Sequence, residues 1–191
     1  MWSGTPVALV AWTCVATALL LGLTGCGSTS ATTTTSASSP KQWAEGTCAA
    51  LVSWEQQAKK AASSIKSNRT REGASQAADE VKVATQNLAH SLASLGKPST
   101  QAGSDARSTL DALQTQLHDG VAKVEDAAKG ISGVSGSVAA ISTISTSLVT
   151  MRDQVAAAAK QLRELPSGEL QQAFTDAPSC VDLRNQTSSG G

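Results

Sequence analysis

Apolar and small residues recur at intervals of three, four and seven over most of this chain, with polar residues between them. In the first such stretch, about residues 41–67, Ala44, Leu51, Ala58 and Ile65 are spaced by seven, with Thr47, Trp54 and Ala61 interleaved. That spacing lays one apolar seam along a helix. A second stretch, about 70–95, carries Ala74, Ala77, Val81, Ala84, Leu88, Leu92 and Leu95, and Gly96 and Pro98 then supply a C-terminal glycine and a breaker. Ser99 or Thr100 caps a third stretch, about 99–129, with its seam at Ala106, Leu110, Leu113, Leu117, Val121, Val124 and Ala128. Gly130, Gly133 and Gly136 mark the next reversal. A fourth stretch, about 137–165, continues with Val138, Ile141, Leu148, Met151, Val155, Ala159 and Leu162 before Pro166. Four helices of similar length joined by short turns predict an all-α fold, an antiparallel four-helix bundle. Residues 168–176 predict a short C-terminal helix with Leu170, Ala173 and Phe174 turned inward. Residues 184–191, polar or glycine throughout, predict a disordered tail, which leaves 41–183 as the bundle.

The pattern is different before residue 41. The first 40 residues contain no Asp, Glu, Lys or Arg, and residues 7–23 (VALVAWTCVATALLLGL) form a 17-residue apolar run with only Thr13 and Thr17 as polar side chains. Such a run is long for a signal segment and short for a membrane span, so length alone leaves both open. The four residues that follow its core, Leu23, Thr24, Gly25 and Cys26, match the cleavage motif read by lipoprotein signal peptidase. Small residues before the cysteine enter a narrow protease site, and the cysteine thiol accepts the lipid. The leader thus resembles those of bacterial lipoproteins, although residues 1–6 lack the positive charge usual in export signals. The resemblance implies a signal peptide over 1–25, palmitate-type lipidation of Cys26 and attachment to the outer face of the cell membrane. Residues 26–40 begin with that cysteine; from Gly27 to Ser39, 10 of 13 residues are Ser or Thr, the composition of a flexible tether.

Charge and chemistry narrow the function classes. All 15 basic and all 15 acidic residues lie from Lys41 onward and cancel, which argues against nucleic acid as a partner. Lys59, Lys60, Lys66 and Arg69 sit off the first seam and read as a solvated face. His90 and His118 lie beside seam residues on separate helices, and no metal-ligand spacing occurs, so no metal or cofactor is expected. No nucleophile elbow, phosphate loop or paired acid and base stands out, and the chain is read as a non-enzyme.

With Cys14 in the leader and Cys26 lipidated, Cys48 and Cys180 are the remaining pair. Outside the cytoplasm such a pair forms a disulfide, the alternative being two buried free thiols. Seams built mainly from Ala, Val and Leu bury little area per residue, so a covalent link would matter to a bundle of this kind. Trp43 and Trp54 are eleven residues apart and share a helix face. They read as core, with a stacking pair beside a small apolar ligand as the alternative.

Cys48, residues 95–103 (LGKPSTQAG) and Cys180 give the body a resemblance to the small Ala-rich helical-bundle lipoproteins of high-GC Gram-positive, actinobacterial species. Such proteins mostly lack an assigned activity, so the resemblance implies fold and address. The functional expectation is a membrane-anchored module with a surface for another envelope protein or a wall component; the alternative is a carrier or sensor of a small apolar ligand held near Trp43 and Trp54.

Overall fold

The computed structural model describes residues 39–188 except 97, 99 and 167. The expected signal peptide, the motif from Leu23 to Cys26, residues 26–38 of the tether and Ser99 lie outside the described residues. Six helices occupy the remainder: α1 (Pro40–Ser67), α2 (Arg71–Ser94), α3 (Gln101–Lys129), α4 (Gly133–Arg163), α5 (Glu169–Asp176) and α6 (Pro178–Ser188). No strand occurs among the described residues. The fold is a helical bundle in which α1 pairs with α2 and α3 with α4, each through a short turn and over most of its length. Helices α5 and α6 pack against both α1 and α4 and thicken the seam between them. The longer helices measure roughly 40 Å at about 1.5 Å per residue.

Local chemistry fixes the helix starts. Ser39 caps α1 through a reciprocal box: its Oγ accepts from the Gln42 N–H at 3.3 Å, and the Gln42 Oε1 accepts from the Ser39 N–H at 3.4 Å. Thr70 and Thr100 cap α2 and α3, each accepting from the N–H of a glycine three residues on, Gly73 at 3.2 Å and Gly103 at 3.0 Å. Those glycines are required. A Cβ on Gly73 would meet the Asn68 carbonyl oxygen, and one on Gly103 would meet that of Pro98. Gly96, at φ 64°, turns the chain out of α2.

The seams of the first three helices fall where their spacing places them. Every seam residue from Ala44 to Ile65, from Ala74 to Leu92 and from Ala106 to Ala128 is buried. The fourth helix differs at its start. Its reversal is complete by Gly133, at φ 67°, and Gly136 lies inside the helix with room for a Cβ. Helix α4 therefore begins four residues before the expected 137. Its buried face opens with Ala140 and Ile144, and Val138 is 67% exposed. Serine, threonine and glycine give this half of the helix little polar contrast, so apolar spacing alone selects the wrong stripe.

The tail also differs. Residues 184–188, expected to be disordered, continue α6, whose start is fixed by Pro178 and whose inner side buries Cys180 and Leu183. Residues 189–191 lie outside the described residues.

Candidate functional site

The end of the bundle holding the start of α1 is closed by side chains from α1, α5 and α6 and by the turn after α2. Trp43 lies edge-on to Phe174 of α5, with ring centroids 5.6 Å apart and planes at 82°. Its Nε1 donates to the Gly96 carbonyl at 3.0 Å, tying α1 to the turn after α2. Three turns on, the Trp54 Nε1 donates to the Thr85 Oγ1 of α2 at 3.1 Å. Each tryptophan is only 1% exposed. The two indoles are thus packed and hydrogen-bonded within the core, and neither lines the surface clefts between the helices. The Trp43 and Trp54 pair offers no open face to a ligand.

Cys48 and Cys180 form a disulfide across 132 residues of sequence, joining α1 to α6. Beside it, the Glu45 carboxylate accepts from the Ser179 N–H at 3.1 Å and from the Ser179 hydroxyl at 2.6 Å. A carboxylate at the N-terminus of α6 is favoured by the helix dipole. Thr47, on the seam next to Cys48, is fully buried and its hydroxyl makes no hydrogen bond.

A charged group lies in mid-bundle that the sequence spacing does not single out. Glu55 of α1 is 0% exposed, and its Oε1 accepts from the Arg152 Nε of α4 at 2.8 Å and lies 3.3 Å from the Lys59 Nζ. Its Oε2 has no hydrogen-bond partner. Two cations around one buried carboxylate compensate its charge and link α1 to α4, the seam that α5 and α6 also cover. The available signal was the position of Glu55 between seam residues Trp54 and Ala58 with a lysine four residues on.

Elsewhere the polar surface is organised by helix. Lys82 of α2 reaches Glu125 of α3 at 2.8 Å, and this contact, a hydrogen bond first and charge second, raises the lysine above its ordinary value. The same lysine holds Glu125 below its own. The Arg107 Nη1 donates to the Leu92 carbonyl at 3.0 Å near the end of α2. On α4 the hydroxyls of Ser137, Thr143 and Thr150 donate to carbonyls four residues back, at 3.0, 3.1 and 3.0 Å. These hydroxyls are engaged by their own helix. His90 and His118 are both exposed on separate helices.

Among the described residues, no three His, Cys, Asp or Glu side chains stand close enough to hold a metal ion. No described helix is long and apolar enough to cross a membrane. Open clefts lie between neighbouring helices on the outside of the described body. The largest described, about 610 Å³, runs between α1 and α2 and is lined by Gln57 and Lys60 on one side and by Glu72, Asp79, Glu80 and Val83 on the other. A second, about 460 Å³ between α3 and α4, is lined by hydroxyls and amides including Thr146, Thr150 and Gln154. No protein-family model, curated protein or solved structure matches the chain.

Proposed function

We propose that this chain is an exported lipoprotein, cut before Cys26 and held at the outer face of the cell membrane by lipid on that cysteine. Its helical body is a non-enzymatic binding module that presents an outer helix face to another envelope protein or a wall component. The address is supported by the residues themselves: an apolar run ending in Leu23, Thr24, Gly25 and Cys26, then a Ser/Thr-rich tether. One observation carries the binding role. The core is filled, with Trp43 and Trp54 each 1% exposed, while open clefts lie between helix pairs on the outside. A stapled bundle on a tether suits contact with a neighbour better than enclosure of a small molecule.

Two measurements test this reading. Mass spectrometry of the mature chain is expected to find a lipid-modified N-terminal Cys26, and a Cys26→Ala chain is expected to leave the membrane fraction; a mature chain retaining residues before Cys26 overturns the lipid anchor. Amine-reactive crosslinking of intact cells is expected to join the body to a defined neighbour. A body that crosslinks to nothing overturns the binding role.

A further inference from the structure

The bundle is pinned at one end and not at the other. The end where α1 starts and α2 finishes carries the Cys48–Cys180 disulfide, the Trp43 bond to the Gly96 carbonyl and the Glu45 bonds to Ser179. The turns after α1 and α3 lie at the opposite end, where α4 begins. Of the 15 residues from Gly133 to Ser147, two are Gly, five Ser, two Thr, two Val and two Ile, so only Ala139 and Ala140 are strong helix formers. No Asp, Glu, Lys or Arg occurs from Gly130 to Met151. This half of α4 therefore has neither an acidic residue in its first turn nor the ion pairs four residues apart that α1 and α3 carry. Ser132 makes no capping bond, whereas Ser39, Thr70 and Thr100 each do. The Ser137 and Thr143 hydroxyls donate to carbonyls of their own helix, which weakens it slightly. Among the described residues, no side chain from 133 to 150 makes a hydrogen bond or ion pair to another helix.

Tertiary packing ordinarily compensates for weak propensity. Here it is thin. Among the described residues, Gly133–Ser147 buries only Ala140 and Ile144, whereas Leu148–Leu162 buries Leu148, Met151, Val155, Ala158, Ala159 and Leu162. The boundary between the halves is marked by two anchors: the Met151 side chain fills the space left by Gly120 on α3, and Arg152 reaches the buried Glu55 on α1. We propose that residues 133–147 form a flap that unfolds as a unit while α1, α2, α3 and the second half of α4 stay folded. Few buried side chains, unfavourable propensity and a missing cap are the properties of a cooperative unit of low stability. Counting back along the antiparallel pair from the Gly120–Met151 contact, Ile144 and Ala140 lie beside the last turns of α3. Opening therefore takes cover away from Val124 and Ala128, both buried in the closed form, and offers an apolar strip at the end of the bundle remote from the disulfide.

Amide hydrogen exchange of the full chain, read by mass spectrometry, tests the flap. Amides 137–147 are expected to exchange about tenfold faster than amides 148–162. Ala157→Gly, at an exposed position in the half that stays folded, is expected to speed exchange at 148–162 about fivefold and to leave 137–147 unchanged, because the flap opens without that half. Gly136→Ala, where a Cβ meets only ordinary contacts, is expected to slow exchange at 137–147 about fivefold. Circular dichroism of both variants checks that each keeps its helices. Equal protection along the whole of α4, or an Ala157→Gly chain in which both segments speed up alike, would mean that α4 opens only with the entire molecule and would overturn the flap. So would a Gly136→Ala chain whose amides 137–147 exchange as fast as those of the parent.

Discussion

Gly73 and Gly103 occupy the same place in two different turns, the third position after a capping threonine, where a Glu or Gln would complete a capping box. The incoming chain passes so near that its carbonyl, from Asn68 in one turn and Pro98 in the other, fills the space of a side chain. Alanine at either site gains about 1 kcal/mol of helix propensity but displaces backbone, and overpacking costs about 1–3 kcal/mol. Gly73→Ala and Gly103→Ala are therefore expected to lower the melting temperature, whereas Gly136→Ala, which meets only ordinary contacts, is expected to raise it. Thermal unfolding of the three variants separates propensity from clash. The Glu55 cluster is a second residue-scale case. Arg152→Met leaves a fully buried carboxylate with only the half-exposed Lys59 beside it, and a loss of about 3 kcal/mol is expected. Adding Glu55→Leu is expected to recover most of that loss, since the charge needing compensation is then gone; urea titration of single and double variants measures the coupling.

The two hairpins share one apolar core, and polar links also cross between them. The Lys82–Glu125 pair joins α2 to α3 across that boundary. Because the folded bundle lowers Glu125 below its ordinary 4.5, its contribution is present above that value and fades as pH falls through the lowered one. Lys82 is raised, so its own contribution is present below 10.5 and is lost as pH rises through the raised value. The melting temperature of Lys82→Met is thus expected to lie slightly below that of the parent at neutral pH and to converge with it in acid; a constant gap down to strongly acid pH would assign the effect to packing instead. The elements themselves were largely legible. Residues Ala44 to Ile65, Ala74 to Leu92 and Ala106 to Ala128 announce their buried faces because each alternates with charged positions. The start of α4 does not, since Ser, Thr and Gly surround Val138 and Ala140 alike. Helix α6 was harder to read for another reason: Pro178 marks a start locally, but the carboxylate that caps it belongs to Glu45, 134 residues away.

At the level of the whole molecule the described residues form two helical hairpins with a C-terminal pair laid over the joint between α1 and α4. Neighbouring helices are mostly neighbours in sequence, and local contacts of this sort form fast. The disulfide between Cys48 and Cys180, like the packing of α5 and α6 on α1, joins parts of the chain that are far apart in sequence. Removing it by Cys48→Ser with Cys180→Ser is expected to cost about 4 kcal/mol through the loop it no longer closes. Urea unfolding of the oxidised and variant chains reads that difference, and an unchanged midpoint would mean that Trp43, Phe174 and Leu183 hold the end of the bundle unaided. The link also orders events in time. Synthesis proceeds from the N-terminus at about 5–20 residues per second, and Cys48 precedes its partner by 132 residues. On the order of ten seconds therefore pass in which the first thiol exists without the second. Until α5 and α6 have been made, the flank of α1 that they cover is bare and the Cys48 thiol on it has no partner. The newborn chain is most exposed to wrong partners there, and oxidation is the step that ends its childhood.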